Sequence, residues 1–205
     1  MFSRLFARTA APDDPLVERL TDLPVPLSAA GTFVEGLEPD AQRSMLVRAG
    51  AADRKSGAIA HYVLQWNRPM AVIQAQIDTG DTTPLLQWVR QLVVLLTDAE
   101  AAARWFAAKT SNFKQYEGRE VEGFRYAQIT LTSLRSIGDE ADLMQAPNTE
   151  SGNPFHDTFV NFRSGRLFGT VSASAIFGDP RIEKQVQALA EALARRVEEA
   201  VRGGN

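Results

Sequence analysis

The chain reads as an α+β domain: a twisted antiparallel sheet of about six strands with two long helices on one face. Three observations predict it. Residues 158–163 and 166–175 are alternating segments on either side of Ser164-Gly165, a two-residue hairpin loop in which glycine admits φ > 0. A helical stripe of Ile182, Val186, Leu189, Leu193, Val197 and Val201 follows at once. The middle of the chain, from Ile59 to Lys109, reads in the same order of strand, turn, strand and capped helix, which suggests a duplicated ββα unit.

The C-terminal pair carries the clearest signals. Along the second strand Leu167, Gly169, Val171, Ala173 and Ala175 share one small, apolar face. Arg166, Phe168, Thr170, Ser172 and Ser174 share the other, so the sheet reads as covered on one side only. Asp179 is the N-cap candidate of the last helix, Pro180 suits its first position and Gly203 marks its exit. A helix of that span is about 36 Å long at 1.5 Å per residue, enough to cross several strands.

Taken in order, residues 1–39 read as an N-terminal arm with a short helix and a loop, and 40–205 as a single α+β domain. Residues 1–14 read as loose, with 10–14 packing little; Asp14-Pro15 then opens a short helix over Leu16–Leu20, and 21–36 reads as extended chain or loop. Asp40 is expected to cap a second short helix through Ala49, followed by a charged loop over 51–57. Ile59–Trp66 is an expected strand. So is Met70–Asp78, where Val72, Gln74 and Gln76 alternate with Ala71, Ile73, Ala75 and Ile77. Leu85–Leu96 is long and apolar, and Thr97-Asp-Ala-Glu100 is a capping box opening a helix over 98–109. Tyr126–Ser133 is a further strand, Ser136–Glu150 turns polar, and Asn148–Pro154 reads as a flexible bridge.

Composition excludes several functions. A net charge of −3 and the lack of a basic cluster argue against nucleic acid as a partner. With no cysteine there are no disulfides, thiolate metal sites or cysteine nucleophiles. No run approaches the ~18 apolar residues of a membrane span. Residues 1–8 hold two arginines and two phenylalanines without a following apolar core, so the chain as it starts is not read as a secreted precursor. On that start alone, the expected compartment is the cytoplasm.

The candidate chemistry is sparse. Asp139, Glu140 and Asp142 form the densest acidic cluster, read as a solvated loop because the oxygen ladder of a calcium loop is missing. His156 beside Asp157 is half of a general-base pair, but neighbours on a strand point to opposite faces and no nucleophile elbow appears. His61 reads as a core histidine. Ser111-Asn-Phe-Lys114 matches Ser-x-x-Lys without the companion elements of serine acyl enzymes. Tyr62, Trp66, Trp88 and Trp105 are the candidates to line an apolar ligand pocket, against the plainer reading that they are core. No metal or cofactor is expected.

Ile137-Gly-Asp-Glu-Ala141, then Val160-Asn-Phe-Arg-Ser-Gly-Arg-Leu167 and a terminal amphipathic helix form a pattern that resembles a broad bacterial group. Thr97-Asp-Ala-Glu-Ala-Ala-Ala-Arg-Trp-Phe106 fits the same plan, so the resemblance spans roughly residues 40–202. The group comprises extracytoplasmic lipoproteins and the PknH-like sensor domains of bacterial serine/threonine kinases, related in style to PsbP-like folds. The resemblance implies a non-catalytic domain at the cell envelope that binds a ligand or a protein. The chain departs from the group in lacking a signal peptide, a lipid-attachment cysteine and cysteine pairs. The expected function is therefore binding, of a small apolar molecule or of a partner strand at a sheet edge. The alternatives are an assembly protein that forms a homodimer and a hydrolase using His156 and Asp157.

Overall fold

The last helix meets the sheet it follows. In the computed structural model, which describes residues 14–28, 34–50, 54–121, 123–150 and 152–202, helix α4 (Pro180–Arg202) buries Ile182, Val186, Leu189, Leu193 and Val197. They lie against Leu167, Val171, Ala173 and Ala175 of strand β10 (Leu167–Ile176). Each such aliphatic side chain contributes about 1.5–3 kcal/mol relative to exposure. The stripe is thus consumed by the chain's own core.

The sheet is larger than expected. It has ten strands, all pairs antiparallel: β1 (Glu38–Pro39), β2 (Met45–Arg48), β3 (Ala58–Asn67), β4 (Leu85–Leu96), β5 (Glu120–Val121), β6 (Phe124–Tyr126), β7 (Thr130–Leu134), β8 (Glu140–Glu150), β9 (Asn153–Ser164) and β10. The order is β1-β3-β4-β10-β9-β8-β6-β5, with β2 also on β3 and β7 also on β8. Three elements differ from expectation. Residues 40–49 hold no helix, because Asp40 Oδ1 accepts from the N–H groups of Gln42 and Arg43 in a turn, and Met45–Arg48 then pairs with β3. The polar stretch 140–150 is an eleven-residue strand in the middle of the sheet, and the supposed flexible bridge is its tight hairpin to β9, with Glu150 opposite Asn153. The hairpin loop before β10 is Gly165-Arg166, one residue later than expected, since Leu167 pairs with Ser164 and Gly165 takes φ +53°.

Met70–Thr79 is a helix, α2, and not a strand. Ile73 and Ile77, four apart, put one face onto Phe155 and Ile176, and Gly80 closes the helix in the left-handed region with its N–H on the carbonyls of Gln76 and Ile77. The alternation read as period two coexists with an i, i+4 pair, and the tertiary contact selects the helix.

The third helix, α3 (Ala99–Lys114), is capped by Asp98, whose Oδ1 accepts from Ala101 N at 2.7 Å, and runs five residues past the expected stop. It packs Ala101, Ala102 and Phe106 against Phe168, Val94 and Leu96. Phe168 and Leu167 are neighbours on β10, so they point to opposite faces, and α3 and α4 lie on opposite sides of the sheet. The expectation of two long helices on one face is corrected here. The polar-looking face of β10 is buried too: Ser172 and Ser174 are each 4% exposed. The two halves are also not equivalent ββα units, because a helix separates β3 from β4 and the closing helices take opposite faces.

The N-terminal residues join the same core. Asp14 caps α1 (Pro15–Arg19) through Leu16 N and pairs with Arg166 at 2.5 and 3.0 Å. Leu16, Val17, Leu20, Leu23, Val25 and Leu27 are buried beside α4 and β4. Residues 1–13 of the expected loose start, residues 29–33 of the extended segment and residues 51–53 of the charged loop lie outside the described residues, while Asp14, expected to be loose, is fixed by its bonds to Leu16 and Arg166.

Candidate functional site

Among the described residues, the face of the sheet away from α4 carries helices only at its ends. There α3 covers Val94 and Phe168, α2 covers Phe155 and Ile176, and the strand register puts Trp88, Arg90, Asp157, Ser172 and Ser174 on the same face between them. One hollow on this side runs along α3.

Its wall follows from helical spacing. Trp105, Ala108, Lys109, Asn112 and Phe113 recur at three and four residues and form a second stripe of α3, beside the one that packs on the sheet, and Tyr116 extends it in the turn that follows the helix. Opposite them stand Lys55 and Ser56, in the loop before β3. The groove so formed is open to solvent and has a volume of about 580 Å³, within the ~300–1,000 Å³ common for small-molecule sites. Its far end is fixed by an aromatic cluster, in which the Phe113 ring lies 5.6 Å from Tyr116, 5.6 Å from Tyr126 and 4.9 Å from Phe159. These edge-to-face and tilted contacts hold the wall rigid.

Two features of the groove are electrostatic. Lys109 Nζ stands 5.7 Å from the centre of the Trp105 ring, and neither Lys109 nor Lys55 has a carboxylate partner among the described residues. Arg104, also in the lining, is held by Glu100 at 2.8 Å. The indole N–H of Trp105 is buried and donates to nothing among the described residues. The lining contains no Asp, Glu or His.

The four aromatic candidates do not meet. Trp66 is 8% exposed in the core on the α4 side, and Tyr62 packs against that core. Trp88 lies on the other face under Arg90, whose guanidinium is 5.4 Å from its ring, and Trp105 alone enters the groove. Arg90 donates from Nε to Gln65 Oε1 at 2.8 Å, and burial, together with the nearby Arg43 charge, lowers its pKa.

The acidic candidates are used structurally. Asp139 accepts from Gly165 N at 2.7 Å and pairs with Arg163, which also pairs with Glu140 at 2.9 Å. Asp142 is buried between Thr110 Oγ1 and Asn161 Nδ2, and burial pushes its pKa up. Among the described residues no cluster of three or more His, Asp or Glu is placed to hold a metal. His156 is half-buried on the α4 side, where burial lowers its pKa and Glu183 raises it, and it lines a separate hollow of about 470 Å³ with Asn148 and Phe177. Asp157 points to the opposite face, so the two do not form a dyad. Ser111 donates to the carbonyls of Ala107 and Ala108 and Lys114 pairs with Glu117, so that pair is engaged within its own helix end.

The sequence reading missed Lys55, Lys109, Phe113 and Tyr116. Extending the Trp105 stripe by two more turns would have found the last two.

No protein-family profile matches the sequence, and no characterised protein matches it by sequence. The fold does have a solved counterpart. It is similar to the extracellular domain of PknH from Mycobacterium tuberculosis, with a TM-score of 0.56 and 13% identity over 87% of this chain and 96% of that one. At that identity the likeness is one of fold alone.

Proposed function

We propose that the protein is a non-catalytic binding domain of sensor type, with the groove along α3 as its ligand seat. The observation that carries the reading is the groove itself: a hollow of about 580 Å³ whose aromatic wall is preorganised on one rigid helix. Its lining offers hydrophobic surface and hydrogen-bond donors but no carboxylate or imidazole for proton transfer. The fold likeness to the PknH extracellular domain supports the sensor-type reading, and with it a place at the bacterial cell envelope.

A thermal-shift screen with small apolar and amphipathic compounds tests this. A ligand that binds only the folded chain adds about 2.7 kcal/mol at a hundred times its Kd, so Tm should rise saturably for a subset of compounds. A screen in which none raises Tm counts against the reading.

A further inference from the structure

We infer that the groove along α3 selects an apolar molecule carrying a single anionic head, of the fatty-carboxylate type; this rests on the binding reading above. The groove presents two kinds of surface. Trp105, Phe113, Tyr116 and Ala108 give it an apolar wall long enough for an alkyl or aryl chain. The charged groups of its lining without a carboxylate partner among the described residues are both cations, the ammonium groups of Lys55 and Lys109. Two ammonium groups with no carboxylate on them are complementary to an anionic, acceptor-only head, and an ionised carboxylate is one.

The signs of charge sharpen the choice. The chain as a whole carries −3, yet the groove's rim concentrates cations that have no carboxylate on them. Such a rim raises the local concentration of an anion and disfavours a cation. An aromatic cage for a quaternary ammonium is excluded by the same geometry, because Lys109 already occupies the approach to the Trp105 ring. A neutral chain would gain the apolar contact but not the attraction of the two ammonium groups.

The test uses the full chain, labelled with nitrogen-15, and the indole N–H resonance of Trp105, identified by its loss in Trp105→Phe. Decanoate is titrated against decanol, which has the same chain and no charge. The inference expects a saturable shift with decanoate, affinity for decanol at least about tenfold weaker, and a fall of decanoate to the decanol level in Lys55→Gln/Lys109→Gln. Both lysines are solvent-exposed, so the double variant keeps the fold, and its unchanged Tm verifies that. Equal binding of decanoate and decanol, unaffected by the lysine changes, overturns the anionic head while leaving the binding reading in place. No movement of the Trp105 resonance with either compound overturns both.

Discussion

The side-chain amide of Gln91 pairs with both backbone groups of Val25. Its Oε1 accepts from Val25 N at 2.8 Å, and its Nε2 donates to Val25 O at 2.7 Å. Gln91 is fully buried in the central strand β4, so the extended segment after α1 is docked onto the sheet by a side chain acting as a partner strand would. Replacing it leaves one donor and one acceptor without partners in the core, at about 1–3 kcal/mol each. Gln91→Leu is expected to lower stability by roughly 2–6 kcal/mol in urea unfolding. It should also speed hydrogen exchange at Val25 before the rest of the sheet opens.

Gly169 is required by a ring, not by a turn. A Cβ there would lie 2.2 Å from Cζ of Phe162, whose fully buried side chain lies across the neighbouring strand. Gly169→Ala is expected to cost about 1–3 kcal/mol through overpacking. Because the clash is with one named side chain, Phe162→Leu in the Gly169→Ala background should recover part of that loss. A double-mutant cycle with zero coupling would refute the contact as the cause.

Asp157 makes the protein less stable as pH rises through the mildly acidic range. Burial raises its pKa to about 6, against 3.8 in the absence of the fold, although Ser174 and Asn148 donate to it. Between those values the folded chain binds more protons than the unfolded one, so stability falls from pH 4 to pH 6 and then levels off. The full loss is on the order of 2–3 kcal/mol. Asp157→Asn should flatten that part of the stability–pH curve and raise Tm at pH 7. A variant whose Tm still fell across the same window would assign the effect to another group.

What was legible in the sequence follows the strength of local signals. β10 and α4 were legible because alternation, a glycine turn, an N-cap aspartate and a long stripe agree there. β8 was not, because Asp142 and Asn148 look like loop residues until Thr110 and Asp157 are seen to hydrogen-bond with them across the fold. Met70–Thr79 carried both periodicities, and only the packing of Ile73 on Phe155 and Ile176 decides between them. The burial of both faces of β10 was hidden because Ser172 and Ser174 read as solvent-facing. The groove escaped notice for a simpler reason. Ending α3 at Lys109 cut its second stripe before Phe113 and Tyr116.

The central claim is that the hollow along α3 holds a small molecule. Ala108 sits in its lining with an exposed side chain, so Ala108→Trp should fill the groove without disturbing the core. Native mass spectrometry of the wild-type and Ala108→Trp proteins, each purified gently from the source organism, tests the claim most directly. The account predicts a reproducible added mass on the wild type that is lost on denaturation, and an empty variant of unchanged Tm. An empty wild type, or a variant that retains the same added mass, would contradict it.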